Sequence, residues 1–341
     1  MDQKKVVLSC IQPTGEIHLG NYFGAVKNWA DIQDKYNCVY GVVDLHAMTM
    51  PYNPKQLKDN TLNMAVELLA CGIDPEKSIV FIQSLVPQHT ELTWILSCVA
   101  SYGELTRMTQ FKDKTDQLES GGKKNSYISA GLFTYPVLQA ADILLYKADF
   151  VPVGKDQEQH LELSRNVAVR FNNQFGDCFP EPQPLFTNVQ KLMSLADPTK
   201  KMSKSLGPKH YIGLFEDENV IRKKIRSAVT DTGEARKDGE MSPGVANLFT
   251  LIKACGNDEA FNSLKNDYDK GTLQYKDLKD VTADAVVKVT QPLKQKKEKL
   301  MSNRKKMQEL VNELSFEAEK IAITTIKEVR RLTGLPKRER Y

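Results

Sequence analysis

Short apolar runs alternate with longer amphipathic stretches through the first half of the chain, and this alternation limits the fold more than any other feature. Residues 5–9, 38–43 and 78–82 are short and apolar, as is typical of strands buried on both faces. Between them, residues 21–36 and 54–71 carry apolar side chains at helical spacing. The order strand, helix, strand, helix, strand predicts an α/β fold with a Rossmann-like, doubly wound parallel sheet.

The pattern changes near residue 210. Before that point we expect one more strand at 150–153 and further helices at 91–105, 131–147 and 157–175. After it, the spacing predicts helices alone, over 216–230, 243–255, 257–269, 280–313 and 315–333. A chain of 341 residues is longer than one compact domain usually holds, so we expect two domains, the second of them all-helical.

Charge and composition indicate which partners and sites the protein can have. The net charge is +4, but residues 291–341 hold 14 Lys and Arg against 7 Glu, a local charge of +7. Such a basic end either meets a polyanion or is a solvated helical tail. There is no run of 18 apolar residues and no signal-peptide pattern, so we expect a cytoplasmic protein without a membrane span. The six cysteines form no C-x-x-C pair and no histidine stands at ligand spacing beside them, so we expect no metal site.

The first strand runs into the turn IQPTGEIHLGN, residues 11–21, which opens the next helix. The first βα turn of a doubly wound sheet is where nucleotides bind, because the free N–H groups and the dipole of the helix face the ligand. Neither G-x-G-x-x-G nor G-x-x-x-x-G-K-[ST] is present with the required context. What remains is His18, which can donate to a phosphate, and Gly20, which leaves room for a ring against the backbone.

A second segment, TKKMSKS at 199–205, concentrates lysines between Pro198 and Gly207. Taken alone it is either a solvated loop or a mobile clamp for an anion. Together with HLGN it resembles the paired signatures of class I aminoacyl-tRNA synthetases, which occur in this order on a Rossmann-like domain. The resemblance implies that the histidine and the lysines bind ATP and stabilise the transition state of adenylate formation.

The apolar helix FTYPVLQAADILLY, residues 133–146, carries one carboxylate. Tyr135, Gln139 and Asp142 share a face of this helix, and an unpaired carboxylate there would be costly to bury. Asp142 is either an ion-paired residue at the helix edge or the acceptor for a donor on an apolar substrate, and an indole N–H or a phenol O–H would both serve.

The sequence around these residues is similar to that of tryptophanyl-tRNA synthetases of the bacterial and mitochondrial type. The similar stretches are IQPTGEIHLGN, FIQS, GELTRMTQFKDK, AADILLY, DFVPVGKDQEQHLEL and DPTKKMSKS. They cover residues 5–230 densely and the rest thinly. Three positions depart from the family pattern, with Cys10 for a glycine, Gln139 for a methionine and Lys155 for a glutamate.

The resemblance implies a set of site residues. Catalytic roles fall to His18, Lys114, Lys201 and Lys204. ATP contacts fall to Gln12, Pro13, Thr14, Gly20, Asn21, Gly154, Lys155, Asp156, Leu192, Lys201, Met202, Ser203, Lys204 and Ser205. Tryptophan contacts fall to Leu8, His46, Tyr135, Gln139, Asp142, Val153 and Gln157. Mg²⁺ would arrive with ATP and need no dedicated protein ligands.

The resemblance also implies the organisation and the partners. Residues 1–210 would form the catalytic domain, with a helical connecting insertion at about 85–130. Residues 211–341 would bind the anticodon of tRNA(Trp), with a last helix that can pack back on the catalytic domain. The chain would be a homodimer, and residues 91–105, with Leu92, Ile95, Leu96 and Val99, are either its interface or ordinary core. Three alternatives stay open: a tyrosyl-tRNA synthetase, a non-catalytic nucleic-acid-binding relative, and an unrelated nucleotidyltransferase with the same fold.

Overall fold

A computed structural model describes residues 4–109, 128–152, 154, 158–186, 191–230 and 241–337. Its centre is a five-stranded parallel sheet in the order β3-β2-β1-β4-β5. The strands are β1 (Val6–Ile11), β2 (Asn37–Val42), β3 (Ser78–Ile82), β4 (Phe150–Pro152) and β5 (Gln183–Leu185). The predicted parallel α/β sheet is confirmed. β5 was not predicted, because it has three residues and one of them is Pro184.

The sheet is apolar on both faces. Neighbouring residues of a strand point to opposite faces, so Val7 and Tyr40 pack into one apolar core while Leu8, Val39 and Phe81 pack into another. Strands covered on both faces read as continuous apolar runs, which is the pattern that the sequence shows.

Helices cover the sheet and build the rest of the molecule. The first half carries α1 (Leu19–Asn21), α2 (Lys27–Ile32), α3 (Asp44–Ala47), α4 (Pro54–Ala70), α5 (Gln88–Ser97), α6 (Tyr102–Leu105), α7 (Ala130–Leu145) and α8 (Glu158–Phe175). A π-helical turn, Tyr22–Val26, joins α1 to α2. The second half carries α9 (Glu218–Arg226), α10 (Pro243–Ala254), α11 (Asp258–Asp269), α12 (Tyr275–Met301) and α13 (Arg304–Thr333). None of the helices in the described ranges is long and apolar enough to cross a membrane.

The single helix predicted over 91–105 is wrong. Ser101 is extended, with φ −83° and ψ 125°, so the chain leaves α5 and starts again as α6. Leu92 and Leu96 are fully buried in the apolar core of the subunit, and Ile95 is nearly so. These side chains therefore belong to the core, the second of the two predicted roles.

The break between the last two helices was also misplaced. It falls at Ser302 and Asn303 and not at residue 314. The Asn303 side chain accepts a hydrogen bond from Lys306 N at 3.0 Å, which satisfies a free amide of the first turn of α13.

Helix α13 lies against the sheet. The Ser315 hydroxyl accepts a hydrogen bond from the backbone N of Ile82, at the end of β3, at 3.0 Å. The Arg330 guanidinium donates to Glu91 on α5 at 2.5 Å, and Lys147 donates to Glu328 at 2.6 Å. The C-terminal helix thus contacts the sheet, helix α5 and the turn that follows α7.

Candidate active site

The turn after β1 places His18 at the start of α1. His18 Nδ1 accepts a hydrogen bond from Asn21 N at 3.3 Å, and Asn21 Oδ1 accepts one from His18 N at 3.4 Å. This reciprocal cap fixes the ring, which is 6% exposed. Gly20 is required beside it, because a Cβ at that position would lie 2.9 Å from His18 Cε1.

The segment that carries the lysines folds onto this turn. Met202 N donates to Leu192 O at 3.0 Å, and both side chains are buried beneath the turn. Ser203 caps a short 3₁₀ turn, Lys204–Leu206, by accepting from Ser205 N. The Lys204 ammonium crosses to the first turn, where it donates to Glu16 O at 2.9 Å and to Thr14 O at 3.2 Å.

The two segments enclose one cavity of about 600 Å³. It is lined by Ile11, Gln12, Thr14, His18, Asn21, Met64, Ser203, Lys204 and Ser205. Six of the predicted ATP contacts are in this set, and Pro13, Gly20 and Met202 lie in the same two segments. Lys201 is exposed and pairs its backbone with Met193, while Gly154 is exposed after β4.

Lys204 brings a positive charge to the lining of the cavity, whereas His18 is neutral. Burial, assisted by the charges of Lys204 and Lys201, lowers the pKa of His18 to about 4. Because Nδ1 accepts from Asn21 N, the proton of the neutral ring is assigned to Nε2, which makes this atom a donor. Burial also lowers the pKa of Lys204.

Asp142 lies in a second polar cluster, formed with side chains from α3, from α5 and from the turn after β3. Its Oδ2 accepts a hydrogen bond from His46 Nε2 at 2.8 Å. Its Oδ1 accepts hydrogen bonds from His89 Nδ1 at 2.6 Å and from Gln83 Nε2 at 2.7 Å. Burial of the carboxyl favours the neutral acid, but the hydrogen bonds from His46 and His89 outweigh it and lower the pKa of Asp142 to about 2. The group is therefore a carboxylate, although it is only 2% exposed.

Other predicted contacts surround this cluster. Tyr135 hydrogen-bonds His160 Nε2 at 2.9 Å and lines a cavity of about 410 Å³ with Leu45, Met48 and Leu138. Leu8 is buried in the core beside Phe81, and Gln139 is half-buried on α7. The predicted residues Lys114, Val153, Lys155, Asp156 and Gln157 lie outside the described residues.

Sequence reasoning missed Gln83 and His89 as members of the Asp142 cluster. Gln83 directly follows β3, and polar residues at the carboxyl ends of parallel strands share one edge, so its position was a usable signal. His89 had no such signal, because it lies inside α5 and does not follow a strand. No group of three or more potential metal ligands occurs in the part of the chain that the structure describes.

Comparison with known proteins agrees with this geometry. The family model for tRNA synthetases class I (W and Y) matches residues 2–291, and the chain belongs to this family. Its relatives are tryptophan–tRNA ligases: one from Clostridium acetobutylicum is 44% identical over 336 residues and 98% of each chain. One from Caldanaerobacter subterraneus is 45% identical over 97% of this chain and 98% of its own.

A solved structure of a tryptophanyl-tRNA synthetase is also similar to this chain. The tryptophanyl-tRNA synthetase of Campylobacter jejuni, complexed with ADP and tryptophan, is 35% identical, with a TM-score of 0.84. The match covers 97% of this chain and all of that one.

Proposed function

We propose that this protein is a tryptophan–tRNA ligase. It joins L-tryptophan to ATP, forming tryptophanyl-adenylate and pyrophosphate, and then transfers tryptophan to the 2′-hydroxyl of the terminal adenosine of tRNA(Trp). The observation that carries the proposal is the meeting of the His18 turn and the Lys204 segment around one cavity, in a chain 44% identical to a tryptophan–tRNA ligase.

In the ATP-dependent step, the protein acts by positioning the reactants and by placing positive charge near the leaving pyrophosphate. The amino-acid carboxylate attacks the α-phosphate and pyrophosphate leaves, so negative charge grows on the leaving group. His18, with a donor at Nε2, and Lys204, with its ammonium, both line this cavity. We propose that Lys114 and Lys201 add charge there and that Mg²⁺ comes bound to ATP, held by the phosphates and not by a protein site.

The amino-acid half rests on Asp142. An ionised carboxylate has about four acceptor positions, and His46, His89 and Gln83 occupy three of them. The free position on Oδ2 suits a ligand with a single N–H donor, such as indole. A phenol O–H fits the same acceptor, so the relatives' identity and not the carboxylate favours tryptophan over tyrosine.

Further parts of the proposal concern the partners. We propose that residues 1–210 form the catalytic domain and that the helical region, 211–341, binds the tRNA anticodon. The positive charge of residues 291–341 supports a polyanionic partner there. A homodimer and a cytoplasmic location remain predictions.

Amino-acid-dependent exchange of pyrophosphate into ATP tests the proposal. We expect exchange with tryptophan and none with tyrosine. Exchange with tyrosine alone would support the tyrosyl alternative, and no exchange with any amino acid would support the non-catalytic one. Charging of tRNA(Trp) by the same preparation tests the second step.

A further inference from the structure

A buried ion pair connects the helical region to the nucleotide site. Glu67, on α4, is 1% exposed, and its carboxylate accepts a hydrogen bond from Lys297 Nζ, on α12, at 2.8 Å. Its second oxygen accepts a hydrogen bond from the backbone N of Ile17 at 2.9 Å. Glu67 therefore holds the residue that precedes His18, and Lys297 holds Glu67.

Lys297 has a second carboxylate partner on the turn itself. Its ammonium donates to Glu16 Oε1 at 2.8 Å. The backbone oxygen of the same Glu16 accepts from Lys204 Nζ at 2.9 Å. A single side chain from α12 thus reaches the lysine of the nucleotide cavity through one residue, Glu16, and the histidine through two residues, Glu67 and Ile17.

The surroundings of Lys297 restrict its ammonium to this position. It lies 4.5 Å from the centre of the Phe215 ring, and its side chain is 14% exposed. Phe215 ends the segment that pairs with the turn through Leu19 N to Ile212 O and Leu214 N to Ile17 O. The attraction of Glu67 and Glu16 outweighs burial and raises the pKa of Lys297, so the ammonium stays charged at neutral pH.

We propose that Lys297 is a positioning residue for the activation reaction. Lys297 binds both Glu16 and Glu67, and these contacts fix the position of the backbone from Thr14 to Ile17. Lys204 then hydrogen-bonds to carbonyl oxygens and not to a carboxylate, so its charge stays available to bind an anion. Lys297 does not line the cavity, so it acts through the turn and not on the substrate. This inference rests on the proposed function.

The test compares three variants in tryptophan-dependent ATP–pyrophosphate exchange. Lys297→Met should lower kcat/KM for ATP roughly 10- to 100-fold, the effect of a misplacement near 1 Å, with KM for tryptophan unchanged. Lys294→Met is the matched control, since Lys294 lies one turn away on α12 and pairs with Asp217, which is 74% exposed. It should match the parent protein.

A double variant separates positioning from stability. Lys297→Met leaves the buried Glu67 carboxylate unpaired, which destabilises the fold. Glu67→Gln combined with Lys297→Met leaves no buried charge and keeps an acceptor for Ile17 N. It should fold as stably as the parent protein but remain slow, because Glu16 still lacks its partner and attracts Lys204.

The outcomes distinguish the inference from the proposed function. Full recovery of exchange in the double variant would show that Lys297 serves only stability and would overturn the inference. So would equal activity of Lys297→Met and Lys294→Met. If the parent protein itself lacks tryptophan-dependent exchange, the proposed function fails instead.

Discussion

His89→Leu tests whether the Asp142 cluster is built to hold one orientation of its carboxylate. The imidazole is completely buried, bonds Asp142 Oδ1 at 2.6 Å and Tyr146 Oη at 2.9 Å, and stacks on Phe81. Leucine fills similar space but makes neither bond. Losing a bond to a charged group costs about 1.5–3 kcal/mol, and an unpaired buried hydroxyl costs about 1–3 kcal/mol. We therefore expect a total loss of about 2.5–6 kcal/mol in the free energy of unfolding.

The same change should weaken tryptophan binding about tenfold, or 1.4 kcal/mol, because Oδ1 keeps only Gln83 and the carboxylate can rotate. Tyr146→Phe is the control, since it removes the far partner and keeps the His89–Asp142 bond. It should cost about 1–3 kcal/mol of stability, because the buried His89 Nε2 loses its partner, and should leave tryptophan affinity unchanged. Denaturant unfolding and calorimetric titration with tryptophan measure the two quantities. Equal or higher tryptophan affinity in His89→Leu would refute the reasoning, because it would mean that His89 competes with the ligand.

The nucleotide site yields three shorter predictions. Gly20→Ala places a methyl group 2.9 Å from His18 Cε1, so kcat/KM for ATP should fall at least about tenfold, whereas Gly103→Ala meets only Ser101 Oγ at 3.7 Å and should not change it. Lys204→Met should lower the exchange kcat about 10²–10³-fold; a matching loss of tryptophan affinity would contradict its role at the phosphates. Since the pKa of His18 is about 4, below its ordinary 6.5, the stability linked to it is complete above pH 6.5 and is lost as pH falls through 4. The exchange rate should accordingly show no His18-dependent titration near pH 6.5, which a comparison with His18→Asn would reveal.

The parts of the fold that follow local patterns were predictable. β3 was predicted with the bounds that the structure has, and β1, β2 and β4 came within two residues, because a strand covered on both faces must be a short apolar run. The two helix boundaries that were predicted wrongly each depend on one residue. The Asn303 cap and the extended Ser101 interrupt stretches whose apolar spacing is otherwise unbroken.

The nucleotide part of the site was predictable only as two separate segments. The turn after β1 and the lysine segment each carry a recognisable pattern, and topology brings the turn to the carboxyl edge of the sheet. The ion pair that supports the turn carries no such pattern, because Lys297 and Glu67 are 230 residues apart and one sequence holds no periodicity that joins them.

The two ends of the site keep charges of opposite sign available to ligands. Among the described residues, Asp142 is bonded by an amide and two imidazoles and by no lysine or arginine, so its negative potential remains to attract an N–H donor. In the part of the chain that the structure describes, Lys204 Nζ donates hydrogen bonds only to carbonyl oxygens, while the Glu67 carboxylate pairs with Lys297. Had Lys204 paired with that carboxylate, its charge would be cancelled before any phosphate arrived. The ion pair beneath the turn therefore keeps the Glu67 carboxylate from cancelling the charge of Lys204, whereas Asp142 keeps its charge because its own donors are an amide and two imidazoles.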